Sequence, residues 1–211
     1  MILTFKEEMK KRFEMTDLGL MNFFLGMEVH QAEGIFISQT KYAREILKRF
    51  KMENCKSVST PLVVNEKLSK DDGSKEVDLK QYRSLVGSLL YLTVTRPDLM
   101  FATSLLSRFM SKPSEVRMGT AKRVLRYQKG TLDFGVLYQP CSDPRLIAYS
   151  DSDWAGSVDD TKSTSGYAFT FGSGVFSWNS KKQDIVAQST AEAEYVAASA
   201  GESSYMAKED T

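Results

Sequence analysis

Histidine is almost missing from this 211-residue chain, with His30 the single example. No Ser-His-Asp or Cys-His arrangement can be assembled away from that position, so nucleophilic hydrolysis of that kind is excluded, and His30 itself is read as structural. Cysteine is nearly as scarce: Cys55 and Cys141 lie far apart, without CxxC or Cys/His spacing, which argues against zinc and for free thiols in a reducing compartment. No run approaches the ~18 apolar residues of a membrane span, and the N-terminus becomes charged at Lys6, Glu7 and Glu8, too early for a signal-peptide core. The expectation is an intracellular protein, cytoplasmic or nuclear, with no membrane partner. Neither sign of charge dominates, since 28 basic residues face 27 acidic ones, so the overall balance of +1 says nothing about nucleic acid.

What is present is ordinary for a folded chain: 42% hydrophobic and 26% charged residues, with length for one or two domains. The charge is unevenly placed. From Arg108 to Lys129 seven basic residues (Arg108, Lys112, Arg117, Lys122, Arg123, Arg126, Lys129) meet only Glu115, whereas the Asp151 to Asp160 stretch is acidic. A basic surface beside an acidic pocket suits a phosphate polymer, and a solvated helix face is the alternative reading.

Periodicity divides the chain. Leu3 to Met15 has Phe5, Met9 and Phe13 on one helical face, with an end at Asp17-Leu18-Gly19. Asn22 to His30 and Ile35 to Gln39 read as β-strands joined through Gln31 to Gly34, followed by a helix from Lys41 to Phe50 capped by Thr40. Residues 57–80 read as a polar linker with a mobile tip at Asp71 to Lys75. Helices are expected at Tyr82 to Thr93, Leu99 to Met110 and Ser114 to Tyr127, the last stopped by Gly130 just past its end. Then the period changes: Leu146 to Ser150, Ser165 to Phe171 and Val175 to Asn179 read as strands, and Ser189 to Met206 as an alanine-rich helix. The fold class is α+β.

Two acidic motifs bracket this last part, Tyr149-Ser150-Asp151-Ser152-Asp153-Trp154 and Ser189-Thr190-Ala191-Glu192-Ala193-Glu194. A carboxylate at a strand end and another on the helix after two more strands can converge, and converging carboxylates bind hard cations such as Mg²⁺. Glu192 points away from Glu194 on a helix, and Asp153 shares the face of Asp151 only if the strand continues, so both are nearer to bystanders. Trp154 and Trp178, beside strand ends, are read as packing residues.

These motifs, with Lys162-Ser163-Thr164-Ser165-Gly166-Tyr167 and Ser180-Lys181-Lys182-Gln183, closely resemble the ribonuclease H region of copia-type LTR-retrotransposon polyproteins. The upstream chain resembles the same polyproteins through Phe24-Leu25-Gly26-Met27-Glu28-Val29, Thr95-Arg96-Pro97-Asp98 and Lys122-Arg123-Val124-Leu125-Arg126-Tyr127. The resemblance implies a reverse-transcriptase palm end with a primer-grip hairpin at Phe24, Leu25, Gly26 and Met27 and a thumb-like helix in 1–56. It further implies a linker in 57–80, helical thumb and connection in 81–140, and a truncated ribonuclease H-like domain of three antiparallel strands plus one helix in 141–211. Asp151 and Glu194 match the family's first catalytic aspartate and helix glutamate, the expected Mg²⁺ ligands. Lys122, Arg123 and Arg126 become contacts to a template–primer duplex or RNA–DNA hybrid.

The family's paired-aspartate polymerase turn does not occur here, and its later ribonuclease H carboxylates would fall beyond Thr211, with Asp210 a poor substitute. The expectation is therefore a catalytically inactive fragment. A non-catalytic nucleic-acid-binding remnant is the alternative. Arg123-Val124-Leu125-Arg126 also fits the RxLR pattern used to flag secreted effectors, a weaker reading without a signal peptide.

Overall fold

Helix-forming and strand-forming runs segregate along the chain into two antiparallel sheets and the helices packed between and beside them. A computed structural model describes residues 2–17, 19–142 and 144–209, so Leu18 and Asp210 lie outside the described residues. In order come α1 (Ile2–Arg12), β1 (Phe23–Phe24), β2 (Met27–Gln31), β3 (Ile35–Ser38), α2 (Thr40–Arg49) and α3 (Leu79–Leu92). A 3₁₀ turn (Pro97–Leu99) leads into α4 (Met100–Ser107), followed by α5 (Glu115–Gly130) and β4 (Gly135–Tyr138). The chain continues through β5 (Leu146–Ser152), β6 (Thr164–Phe171), β7 (Gly174–Lys182) and α6 (Thr190–Glu209). One sheet has the order β1-β2-β3-β4 and the other β5-β6-β7, all antiparallel, in keeping with the α+β class.

The expected run from Asn22 to His30 is two strands, not one. Leu25 and Gly26 adopt φ of +47° and +78°, a tight reversal that pairs Phe24 with Met27. Gly26 is required twice over, since a Cβ there would also lie 2.7 Å from the Tyr91 hydroxyl, which donates to the Leu25 carbonyl from α3. Strand β4, absent from the sequence reading, pairs with β3 from Ile35–Tyr138 to Ser38–Gly135.

Local chemistry explains the helix starts. The Asp78 carboxylate accepts the Gln81 N–H at the head of α3, and Ser114 Oγ accepts the Arg117 N–H at the head of α5. Thr40 is the first residue of α2 and caps nothing; its hydroxyl donates to the Leu132 carbonyl at 3.1 Å. Gly130 is the last residue of α5, not the residue beyond it, and its missing side chain lets Ser57 approach: a Cβ there would lie 3.1 Å from that of Ser57. The amphipathic face expected of α1 buries none of its residues.

The main core lies among α2, α3, α4 and α5, where Tyr82, Leu85, Leu89, Leu92, Leu106 and Leu125 are essentially inaccessible. The second sheet lies against α4 on one face: Ser104 Oγ donates to the Ser180 carbonyl at 2.6 Å and Trp178 Nε1 to the Thr93 carbonyl at 3.0 Å. Helix α6 covers the other face. The tip at Asp71 to Lys75 is anchored, contrary to the mobile tip expected. Asp72 accepts from the hydroxyls of Ser74 and Ser114 and pairs with the buried Arg117 at 3.4 Å, while Ser69 and Lys70 bond Asp159 across to the second sheet. The partners come from within the tip, from the head of α5 and from Asp159 between β5 and β6.

Candidate metal and nucleic-acid site

The register of β5 on β6 decides which atoms face where. Asp153 N donates to Thr164 O at 3.2 Å, so the odd residues of β5 form the hydrogen-bonded pairs and the Ser152 N–H points away from β6, to the open edge. Asp151, opposite Gly166, shares the face of Ala168 and Trp178. It lines, with Asp153, Pro97, Phe101 and Ser180, a cleft of about 460 Å³ between the sheet and α4. Ser152, opposite Ser165, lies on the face covered by α6.

Helix α6 starts with a reciprocal cap. Glu192 N donates to Ser189 Oγ at 3.1 Å, and Gln188 N donates to Glu192 Oε2 at 2.7 Å. Glu192 is thus committed to the helix start, and Ser189 is the cap. Two residues on, Glu194 Oε1 accepts the Ser152 N–H at 3.3 Å. That bond sets its carboxylate at the open edge, beside the peptide unit that follows Asp151. Asp153 Oδ1 accepts the Thr164 N–H at 2.7 Å, closing the ladder where β5 ends. The two carboxylates flank the edge, Asp151 from the α4 face and Glu194 from the α6 side. Among the described residues no three His, Cys, Asp or Glu side chains gather round one point.

The basic run resolves into separate duties. Arg117 is buried over the Phe109 ring and bonds the Ser69 and Lys112 carbonyls. Arg108 donates to Thr164 Oγ1 at 3.0 Å; burial pulls its pKa down, and Asp153 and Asp160 oppose the shift. Arg123 Nη2 donates to Thr60 Oγ1, Arg126 Nε to the Lys56 carbonyl, and Lys129 Nζ to the Cys55 carbonyl, at 2.9, 2.9 and 2.6 Å. All three hold residues 55–60 along α5, and Lys122 stands exposed. The reverse turn leaves Phe24 and Leu25 exposed, with Gly26 and Met27 half-buried beneath them. Trp154 is 55% exposed although its Nε1 donates to the Ala187 carbonyl, so it packs less than expected, and Trp178 is half-buried.

Sequence reasoning gave no role to Arg96. Its guanidinium is forked onto Asp98 at 2.9 and 2.7 Å, donates to the Thr131 carbonyl and hydroxyl, and lies between the Tyr127 and Phe134 rings. The advance signal was the motif Thr95-Arg96-Pro97-Asp98, which places Arg96 and Asp98 on either side of Pro97, a spacing that also suits a surface turn.

Residues 1–64 match the family model described as reverse transcriptase (RNA-dependent DNA polymerase). Over 190 residues, 90% of its length, the chain is 42% identical to the retrovirus-related Pol polyprotein from transposon RE1 of Arabidopsis thaliana. The chain belongs to the retrotransposon Pol polyprotein family. A second Pol relative, from transposon TNT 1-94 of Nicotiana tabacum, is 42% identical over 208 residues, 94% of the chain. The chain spans 13% and 16% of the lengths of these two Pol relatives. It is also 47% identical over 119 residues, 56% of its length and 84% of the relative's, to secreted RxLR effector protein 161 of Plasmopara viticola. No solved structure matches the chain. No helix among the described residues of this Pol segment is long and apolar enough to cross a membrane.

Proposed function

We propose that this Pol segment joins the end of a reverse transcriptase to the opening of a ribonuclease H domain, and that it contributes two carboxylates to a Mg²⁺ site acting on RNA in an RNA–DNA hybrid. The boundaries follow the motifs: primer-grip hairpin and thumb-like helix in 1–56, linker in 57–80, thumb and connection helices in 81–140, and ribonuclease H-like strands and helix in 141–211. The observation that carries the reading is the Glu194 carboxylate bonded to the Ser152 amide, next along the chain from Asp151. It brings two motifs some forty residues apart to one strand edge.

The donor set fits Mg²⁺ in kind, because both ligands offer hard carboxylate oxygen. Asp151 and Glu194 would hold the ion, which supplies charge neutralisation at phosphate and an acidified bound water. Two carboxylates fill a minor share of an octahedral sphere, so the isolated chain binds the ion weakly and does not cleave. The template–primer duplex is held through its phosphate backbone by Lys122 and the Arg123 and Arg126 guanidinium groups, with Phe24 to Met27 against the primer end. The effector reading is weaker, since both arginines of that pattern sit inside α5 and bind the chain's own connector.

Two measurements test this. With millimolar Mg²⁺ the purified chain leaves an RNA–DNA hybrid intact; magnesium-dependent cleavage that Asp151→Asn abolishes would overturn the inactivity. Mn²⁺, a paramagnetic stand-in, broadens the Asp151 and Ser152 amide resonances, and Asp151→Asn or Glu194→Gln removes the effect. Equal broadening in all three proteins defeats the metal assignment.

A further inference from the structure

We infer that Gln183 is a positioning residue for Glu194. The inference rests on the proposed pairing of Asp151 with Glu194 and concerns what holds that pair in register.

Gln183 follows directly on β7 and is 6% exposed. Its backbone N–H donates to the Ser163 carbonyl at 2.8 Å, which fixes the residue at the mouth of the β6–β7 pair. Its side-chain Nε2 donates to Ser165 Oγ and to the Ala193 carbonyl, each at 2.9 Å. The orientation of the amide is unambiguous, because a carbonyl only accepts and Nε2 must therefore face Ala193. Ser165 is the residue opposite Ser152, and Ala193 immediately precedes Glu194. One amide thus ties the Ser165 hydroxyl on the sheet to the Ala193 carbonyl on the helix, on either side of the Glu194–Ser152 bond.

The apolar part of the α6 contact is not directional in this way. Ala193 and Ala197 are buried against the sheet, and short methyl surfaces let a helix slide and roll with little change in contact. The Gln183 bond to the Ala193 carbonyl is directional, and it specifies the height and rotation at which Glu194 meets the edge. Gln183 also carries a cost that a purely structural residue would not need, since its Oε1 is buried without a hydrogen-bond partner. An apolar side chain of like volume would fill the space without that orphaned acceptor. Stability and placement can therefore be separated by substitution.

The experiment uses Gln183→Leu in the full chain, with amide hydrogen exchange and Mn²⁺ titration followed by NMR. Because the Ser152 N–H points to the open edge, Glu194 is its only acceptor among the described residues, and its exchange rate reports the carboxylate's position. In Gln183→Leu the β6–β7 ladder amides stay protected, the Ser152 amide exchanges faster by about tenfold or more, as it does in Glu194→Ala, and Mn²⁺ affinity falls about tenfold. Ser152 exchange within about twofold of wild type in Gln183→Leu, with Glu194→Ala accelerated, overturns the inference. Unchanged exchange in Glu194→Ala overturns it too, because the contact to be positioned is then not made. If the leucine variant does not fold, Gln183→Met, unbranched and adaptable, serves under the same criteria. Should wild type bind no Mn²⁺, the metal reading fails while the exchange comparison still decides the role of Gln183.

Discussion

The helical layer α2 to α5 and the sheet β5 to β7 with α6 are built from similar amounts of chain but are closed differently. In the helices, leucines from α3, α4 and α5 form one core with the ring of Tyr82, whose hydroxyl finds the Leu106 carbonyl at 2.9 Å. Among the described residues the buried apolar side chains of the sheet and α6 are Phe169, Ala187, Ala193 and Ala197, and every residue of β5 is exposed or half-buried. An open strand edge presents unpaired N–H and C=O groups, which a carboxylate can use and a closed core cannot. The candidate site therefore sits where the packing is thinnest, and the strongest packing lies in the part that carries no acidic site.

That contrast can be broken by truncating one side chain in each region. Leu89→Ala in α3, at 0% exposure, is expected to cost about 3 kcal/mol or more in urea unfolding, in the usual range for a leucine whose cavity cannot collapse. Phe169→Ala removes a larger side chain yet is expected to cost less, about 2 kcal/mol, because the thin sheet can relax around it. Equal or reversed costs would show that the sheet is as tightly closed as the helices. Next in size is Arg117→Met, which keeps a side chain on Phe109 but removes the cation beside Asp72 and the donors to the Ser69 and Lys112 carbonyls. A loss of about 2 kcal/mol is expected, since Asp72 retains some access to water. A neutral result would mean that the connector contributes nothing to the helical layer.

Each region also holds one strongly depressed aspartate. Hydrogen bonds from Ser114 and then Ser74 bring Asp72 down to about 2, and Lys182 followed by Ser157 brings Asp160 down to about 2. Both folded values lie below the ordinary 3.8, so the stabilisation is present above about pH 4 and is lost as pH falls toward 2. Acid titration of stability should flatten in that window for Asp72→Asn and for Asp160→Asn. Hydrogen exchange assigns the first loss to residues near α5 and the second to the β5–β7 sheet. An unchanged acid limb in both variants contradicts these contacts.

The parts of this molecule legible in advance are those whose reason is local. Apolar spacing marks α3 and α5, and the alanine-rich run from Ser189 marks α6, whereas the caps Asp78 and Ser114 were not picked out. What escaped depends on distant partners. Strand β4 is four residues long and exists as a strand because β3, a hundred residues earlier, offers it an edge. The reversal at Leu25-Gly26 lacks the Asn-Gly or Asp-Gly pair that announces such turns, and Tyr91 from α3 helps to hold it. Gly130 has the position of a helix stop, but its use is the approach of Ser57. For the site, the motifs select Asp151 and Glu194, whereas the edge between them and the bridge through Gln183 follow from strand register alone.

The smallest effect tests which region meets nucleic acid. Arg123→Ala with Arg126→Ala removes two cations from the α5 face and two bonds to the connector, at Thr60 and Lys56. Both bonds are exposed and end on neutral acceptors, so unfolding stability should change by less than about 1 kcal/mol. Amides of residues 55–60 should nevertheless exchange faster. If the same guanidinium groups also meet phosphates, the salt dependence of duplex binding, the slope of log K against log salt, becomes shallower by about two contacts. Loosened connector amides with an unaltered salt slope would restrict these arginines to holding the chain together, and would move the duplex contact off the helical layer.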